Sequence, residues 1–192
     1  MIDCYIHDNG GDAFYIDLAS FPDISFSGAM NSYLFSNHGN GIKVTGGGLN
    51  TDAIWRDMGP CYWLADLDLT VGSDVTLTLD PGVIVKLSNN RNIIVNGTLH
   101  AVGTSDSVIY FTSYLDDQVR QDTEGASSTN GAVHDWQSLK FTASSVNDSL
   151  VNCVIKYGGG YYSSGWRVAP TIDIAGCSPP RANTRCRMLM RL

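Results

Sequence analysis

The stretch LTVGSDVTLTLDPGVIVKL at positions 69–87 decides the fold, because its apolar pattern recurs 24 residues later, in IIVNGTLHAVGTSDSVIYF at positions 93–111. Most of the apolar positions are two residues apart, which is the period of a strand with one buried face. The stretch therefore predicts short strands and tight turns that repeat along the chain. The matched pairs are Leu69 with Ile93, Val71 with Val95, Val75 with Leu99, Leu77 with Ala101, Ile84 with Val108, Val85 with Ile109, and Leu87 with Phe111.

A second repeat, at an offset of 28, connects the beginning of the chain with the segment that follows it. Asp3–Ile16 aligns with Asn31–Val44 without a gap, and each copy predicts two strands. A third copy begins at Leu150, and Ile172 and Ile174, which are reached by a longer loop, are expected to be its second strand. Corresponding residues of the three copies are Ile2, Met30 and Val151; Cys4, Ser32 and Cys153; and Ile6, Leu34 and Ile155. The two cysteines are expected to be small buried side chains.

A repeat unit of this length cannot bury the inner side of its strands alone. Units stacked at about 4.8 Å, the spacing of strands in a sheet, would form parallel sheets around a shared core. The predicted fold is therefore all-β, a parallel β-helix solenoid of about five or six coils with little helix. We expect one domain over residues 1–177, an irregular connection near 45–66, a long insertion near 114–135, and an irregular basic tail at 178–192.

Composition limits the classes of partner. The chain has 192 residues, with 12 Lys and Arg against 19 Asp and Glu, and a net charge of −7. A nucleic-acid partner is not expected, because phosphate binding needs clustered Lys and Arg. No apolar run reaches the length of a transmembrane helix, about 18 residues or more. The first residues lack a basic segment, so no signal peptide is visible, and the compartment stays open.

Several segments resemble the right-handed parallel β-helix proteins of the pectin-lyase-like family. The resemblance is carried by the 69–87 stretch, by Val95–Thr104, and by Val108–Ser113 with its Phe-Thr-Ser ending. An Asp-rich loop, a Trp-containing strand and the sequence Tyr157-Gly158-Gly159 follow in the expected order. The resemblance implies right-handed coiling and a location that is mostly extracellular or at the cell surface. It leaves the activity open, because this fold carries enzymes, adhesins and surface proteins alike.

An acidic cluster in the predicted insertion is the candidate metal site. Closely spaced carboxylates could hold Ca²⁺, which takes six to eight oxygen ligands. The spacing does not match an EF-hand loop, and a solvated acidic loop is the alternative interpretation. The cluster consists of Asp116, Asp117, Asp122 and Glu124.

Aromatic residues are the candidate binding site. Exposed aromatic rings with hydroxyl groups suit sugar rings, although aromatic ladders on a sheet also occur for packing alone. An offset of 28 would place Tyr5 and Tyr33 on one outer face, and a glycine-rich loop presents the others. The candidates are Tyr5, Tyr33, Tyr161, Tyr162 and Trp166.

Three functions remain open from the sequence. The first is a non-enzymatic binding or structural module that contacts carbohydrate or another protein. The second is a polysaccharide lyase or glycoside hydrolase, for which no catalytic set stands out: Asn37-His38-Gly39 with Gly41-Ile42-Lys43 is similar to polygalacturonase motifs, but the required pair of Asp is missing. The third is a fragment of a larger surface protein with no separate activity. An uncapped end or a flat sheet face predicts a homo-oligomer.

Overall fold

The computed structural model describes residues 4–18, 20, 34–120, 123, 125, 129–161, 168–175 and 189–191. These residues contain 18 strands and no helix, so this part of the chain is all-β. In chain order the strands are β1 (Ile6–His7), β2 (Asp12–Ile16), β3 (Leu34–Phe35), β4 (Gly39–Val44), β5 (Gly47–Leu49), β6 (Ala53–Trp55), β7 (Tyr62–Leu64), β8 (Leu69–Val71), β9 (Thr76–Leu79), β10 (Ile84–Leu87), β11 (Asn92–Val95), β12 (Thr98–Val102), β13 (Ile109–Ser113), β14 (Ser138–Phe141), β15 (Ser149–Val151), β16 (Cys153–Ile155), β17 (Ile172–Ile174) and β18 (Leu189–Arg191).

From β4 onward, each strand pairs in parallel with the third strand after it along the chain. This pairing builds three sheets, with the orders β16-β13-β10-β7-β4-β2, β17-β14-β11-β8-β5 and β18-β15-β12-β9-β6. A separate parallel pair joins β1 to β3. Every ladder between named strands is parallel, as the repeats predict.

Inward-facing side chains stack in columns, because parallel strands in register place equivalent positions above one another. Each fully buried aliphatic side chain in such a column contributes about 1.5–3 kcal/mol relative to exposure. The core is therefore a set of apolar columns that extends through all three sheets. The columns include Phe14, Ile42, Tyr62, Val85, Phe111 and Ile155; Leu69, Ile93, Leu139 and Ile172; and Trp55, Leu79, Ala101 and Leu150.

The offset of 24 holds for β8 and β11, where Leu69 pairs with Ile93 and Val71 with Val95. It is wrong beyond these strands. Leu99 pairs with Leu77 instead of Val75, Ala101 pairs with Leu79, and Phe111 pairs with Val85. The reason is turn length: four residues separate β8 from β9, whereas two residues separate β11 from β12. A shift of two residues keeps every side chain on its own face, so the predicted core residues remain inward.

The offset of 28 is confirmed for Ile6 and for Phe14–Ile16, whereas Asp12 pairs with Gly39, one residue short of that offset, because the register shifts between Asp12 and Phe14. Ile6 pairs with Leu34, and Phe14 and Ile16 pair with Ile42 and Val44. Ile2 and Met30 lie outside the described residues. The third copy is placed wrongly by the sequence, since β16 lies beside β13 and β17 beside β14 rather than in two strands that match β1 and β2.

Two further expectations need correction. The connection near 45–66 is not irregular, because it contains β5, β6 and β7, one strand in each of the three sheets. The glycine run 46–48, which includes the first two residues of β5, hides this from the sequence, and the strands have only three residues each. In the tail, β18 pairs with β15, so residues 189–191 are not irregular. The described residues contain no helix long and apolar enough to span a membrane.

The insertion between β13 and β14, residues 114–135, is called the strap below. Its described parts are 114–120, 123, 125 and 129–135. At its far point Thr123 O accepts a hydrogen bond from Asn40 N at 3.0 Å, and Thr123 Oγ1 lies 3.5 Å from Cys61 Sγ. The strap therefore reaches from β13 to β4, across the outer side of the six-stranded sheet.

Candidate functional site

A row of outward-facing side chains follows the six-stranded sheet. Register pairs Tyr15 of β2 with Lys43 of β4, Lys43 with Trp63 of β7, Trp63 with Lys86 of β10, and Lys86 with Thr112 of β13. These five residues are called the outer ladder. Aromatic and basic side chains alternate along it before Thr112, which is a pattern that sheet packing alone does not require.

Lys43 is the centre of the ladder's charge network. Its Nζ lies 3.3 Å from Asp12 Oδ2 and 3.3 Å from Asp66 Oδ2. The ammonium also lies 6.0 Å from the ring centroid of Tyr15 and 5.4 Å from that of Trp63, within the range of cation–π attraction. Burial lowers the pKa of Lys43, but hydrogen bonds and charges of the two carboxylates outweigh it, so the pKa is raised above the ordinary 10.5.

The loop before β4 completes the network. His38 Nδ1 lies 3.1 Å from Asp12 Oδ1, so the carboxylate of Asp12 lies between an imidazole and an ammonium. Gly39 permits this approach, because a Cβ at that position would lie 2.6 Å from Asp12 Oδ1. The loop is held by amides: Asn9 Nδ2 donates to Asn37 Oδ1 at 2.9 Å, and Asn37 Nδ2 donates to Ile6 O at 2.8 Å. The two asparagines are 28 residues apart and belong to matching repeat positions.

The strap divides the outer ladder into an open part and a covered part. Tyr15 is 62% exposed, whereas Trp63 is 7% and Lys86 is 0% exposed. Trp63 donates from Nε1 to Ser88 Oγ at 2.8 Å and stacks on Tyr114 of the strap, with centroids 6.3 Å apart. The open part is therefore Tyr15 and Lys43, together with His38 and the two carboxylates that hold the lysine.

An arginine holds the strap to neighbouring turns. Arg120 donates to both carboxylate oxygens of Asp57, at 2.5 and 3.1 Å, and to Gly59 O at 2.5 Å. A further hydrogen bond of 3.3 Å joins it to Gly82 O. Arg120 therefore joins the strap to the segment after β6 and to the turn before β10. This bidentate geometry is specific to arginine.

The structure places only part of the predicted metal cluster. Asp116 and Asp117 lie together at the start of the strap, and Asp122 and Glu124 lie outside the described residues. Asp116 Oδ2 accepts from Thr112 Oγ1 at 2.6 Å and forms an ion pair of 2.7 Å with Lys156. Among the described residues, no group of three or more His, Cys, Asp or Glu side chains could hold a metal ion.

The predicted aromatic site is only partly described. Tyr5 and Tyr161 are exposed, but Tyr5 precedes β1 and Tyr161 follows β16. Tyr161 lies against His134, with ring centroids 4.6 Å apart, and His134 Nδ1 contacts Gly159 O. Tyr33, Tyr162 and Trp166 lie outside the described residues.

Sequence reasoning missed the ladder as a site, although its signals were present. Tyr15 and Lys43 occupy matching positions of the repeat with an offset of 28, and they are neighbours in the sheet. Trp63 was not assigned to a strand, because the segment 45–66 was expected to be irregular. Asp12 lies in β2 and Asp66 follows β7, and no local spacing in the sequence joins them.

Comparison with models of protein families, with curated proteins and with solved structures finds no match to the chain. The geometry of the outer ladder and of the strap is therefore the basis for a functional proposal.

Proposed function

We propose that the parallel sheets form a right-handed parallel β-helix of about six coils, similar to the pectin-lyase-like proteins. Pairing of each strand with the third strand after it supports this arrangement, since a chain that passes through three sheets in turn advances by one coil each time. Crossovers between parallel strands of one sheet are right-handed in nearly all proteins, which supports the handedness.

The proposed function is non-enzymatic binding of carbohydrate at the open part of the outer ladder. One observation carries it: the exposed ring of Tyr15 lies beside Lys43, whose ammonium is held between Asp12 and Asp66. An aromatic ring offers a flat apolar surface to a sugar ring, and the charged groups around it offer hydrogen bonds to hydroxyl groups.

The charges favour a neutral polysaccharide over a polyuronate. At the open part, two carboxylates face one ammonium, so the surroundings of Tyr15 carry excess negative charge. The whole chain also carries a net charge of −7. Repulsion would therefore weaken the approach of an anionic glycan.

The test is binding of the full chain to a panel of neutral polysaccharides and polyuronates, followed by affinity electrophoresis of variants. We expect binding to a neutral glycan, weakened about tenfold by Tyr15→Ala because the ring surface is lost. Tyr161→Ala removes another exposed tyrosine, 50% exposed against 62% for Tyr15, and is expected to leave binding unchanged. Equal binding by wild type and Tyr15→Ala, or weakening only by Tyr161→Ala, would contradict the assignment to the outer ladder.

A glycoside hydrolase is the second candidate, because Asp12 and Asp66 form a carboxylate pair. Each Oδ2 is 3.3 Å from the same Nζ, so the two oxygens are at most 6.6 Å apart (3.3 plus 3.3). Paired carboxylates of glycosidases lie at comparable separations. The shared ammonium argues against it, since hydrolysis needs one carboxyl group placed to donate a proton. Release of reducing ends by wild type, abolished in Asp66→Asn, would favour the enzyme.

A module with a purely structural role is the remaining proposal, as part of a larger surface protein. The complete pairing of Lys43 and the packing of Trp63 under the strap are compatible with it. Absence of both binding and hydrolysis across the panel would favour this role.

A further inference from the structure

The two ends of the strap meet at a neck formed by residues 115–117 and Thr129. Thr129 Oγ1 donates to Leu115 O at 2.8 Å, and Asp117 Oδ2 accepts from Thr129 N at 2.5 Å and from Thr129 Oγ1 at 3.1 Å. The neighbouring Asp116 is 0% exposed. Its Oδ2 accepts a hydrogen bond from Thr112 and forms an ion pair with Lys156. One oxygen of each carboxylate is therefore bound by the protein.

The second oxygen of each carboxylate has no such partner. Asp116 Oδ1 and Asp117 Oδ1 are both buried, and no donor among the described residues hydrogen-bonds to either. Leaving a buried acceptor unsatisfied is costly, and more so for a charged group. Two such oxygens on adjacent residues indicate that a bound ligand satisfies them, because no donor in the described part of the chain does so.

Charge decides what kind of ligand fits. Among the described residues, Lys156 forms the one ion pair with these carboxylates, and it pairs with Asp116 rather than with Asp117. A water molecule could donate hydrogen bonds to the two oxygens but would bring no positive charge to Asp117. A cation satisfies both oxygens and also neutralises the charge.

We propose that Asp116 and Asp117 bind a calcium ion at the neck of the strap, through the two oxygens that lack donors. The site offers oxygen atoms only, which suits a hard cation and disfavours zinc or copper. Calcium tolerates irregular coordination, and water or backbone carbonyl groups complete its shell. The ion ties the two ends of the strap together, and this role is independent of carbohydrate binding.

The experiment uses the full chain, stripped of metal by dialysis against a chelator. Calcium titration is followed by calorimetry and by thermal unfolding, and Tb³⁺ luminescence sensitised by aromatic residues reports occupancy. We expect saturable binding and a higher Tm with calcium. Asp117→Asn should weaken binding about tenfold or more, because one ligand charge is lost. Asp106→Asn alters an exposed carboxylate that accepts from Ser105 Oγ at 3.3 Å, and it should change nothing.

The variant Lys156→Gln distinguishes a calcium site at these carboxylates from an ion pair with a purely structural role. Removal of the ammonium leaves both carboxylates for the ion, so calcium affinity should rise, and added calcium should restore the Tm that the variant loses. Absence of saturable calcium binding to wild type, or binding that is equal in Asp117→Asn, would overturn the proposal. Equal stabilisation by sodium or potassium chloride at the same ionic strength would also overturn it.

Discussion

At the scale of single residues, the turns between strands tolerate little change. Gly97 lies in the two-residue turn between β11 and β12, against the turn between β8 and β9. A Cβ at this position would lie 2.2 Å from Val75 O and 2.3 Å from Gly72 O. Both are backbone atoms, so a rotamer change cannot relieve the clash. Thr98 N also donates to Val75 O at 2.9 Å, which holds the two turns together.

Gly97→Ala is therefore expected to destabilise the protein by about 2–4 kcal/mol, through displacement of stacked backbone. The measurement is urea unfolding followed by circular dichroism. Gly10→Ala is the matched control, because a Cβ there meets no atom within 4 Å and should change the midpoint little. A similar midpoint for both variants would show that the backbone at Gly97 does not approach the carbonyl groups of Gly72 and Val75 this closely.

The burial and the pKa of a cysteine depend on the sheet in which it lies. Cys153 was expected to be buried and is half-buried, with its Sγ 3.3 Å from Ala101 O. Burial raises the pKa of this thiol to about 11, so it is poorly nucleophilic at neutral pH. Cys4, expected to be buried too, is exposed. The repeat aligns the two residues, but Cys4 precedes β1 in the two-stranded sheet, which lacks the long stack of neighbours around β16.

At the scale of elements, the strap is the part of the molecule that controls access to the outer ladder. Its Tyr114 stacks on the buried Trp63, whereas Tyr15 is exposed. Arg120 is its link to Asp57 and to two backbone carbonyls. Contacts of this kind are not visible in a repeat pattern, because the partners are 38 to 63 residues apart.

Arg120→Ala is expected to loosen the strap without unfolding the sheets, since the arginine contacts only turns. Hydrogen exchange of peptides from 114–120 should rise, and the free energy of unfolding should fall by only about 1–2 kcal/mol. Arg91→Ala is the control: the side chain of Arg91 also donates to backbone carbonyls, at Asn89 and Asp66, and neither of these residues belongs to the strap. Unchanged exchange in Arg120→Ala, or an equal rise in both variants, would count against the role of this arginine.

At the scale of the whole molecule, the last strand of each sheet is the place where a second copy of the chain could pair. β16, β17 and β18 are the last strands of their sheets within the described residues. On either side of β17, Thr171 O accepts from Leu139 N and Ala175 N donates to Phe141 O, so the alternation of a parallel ladder directs Ile174 N–H away from β14. An outward N–H on an edge strand can pair with a second copy of the chain.

We expect a concentration-dependent homo-oligomer that forms through this edge, measured by light scattering during size-exclusion chromatography. Ile174→Pro removes the outward N–H and should shift the equilibrium to monomer, because proline cannot donate to a new ladder. Ile174→Ala keeps the N–H and should still associate. A monomeric wild type at high micromolar concentration would show that the edge is not used, and equal association of the two variants would move the contact to another surface.

The sequence by itself determined the all-β class, most of the inward residues and the parallel pairing of the strands. This information is local: apolar residues at every second position, repeated at offsets of 24 and 28, mark one face of each strand, and that face stays the same under a shift of two residues. Phe14 and Ile42 are therefore paired as predicted.

The tertiary structure decided the features that depend on turn lengths and on contacts between residues far apart in the chain. It set Leu77 rather than Val75 beside Leu99, and it made strands of the short segments between residues 45 and 66. It also placed the strap over Trp63 and brought Asp12 and Asp66 to one lysine. These outcomes depend on which strand pairs with which. The packing of the whole core determines that pairing, and no single segment does so alone.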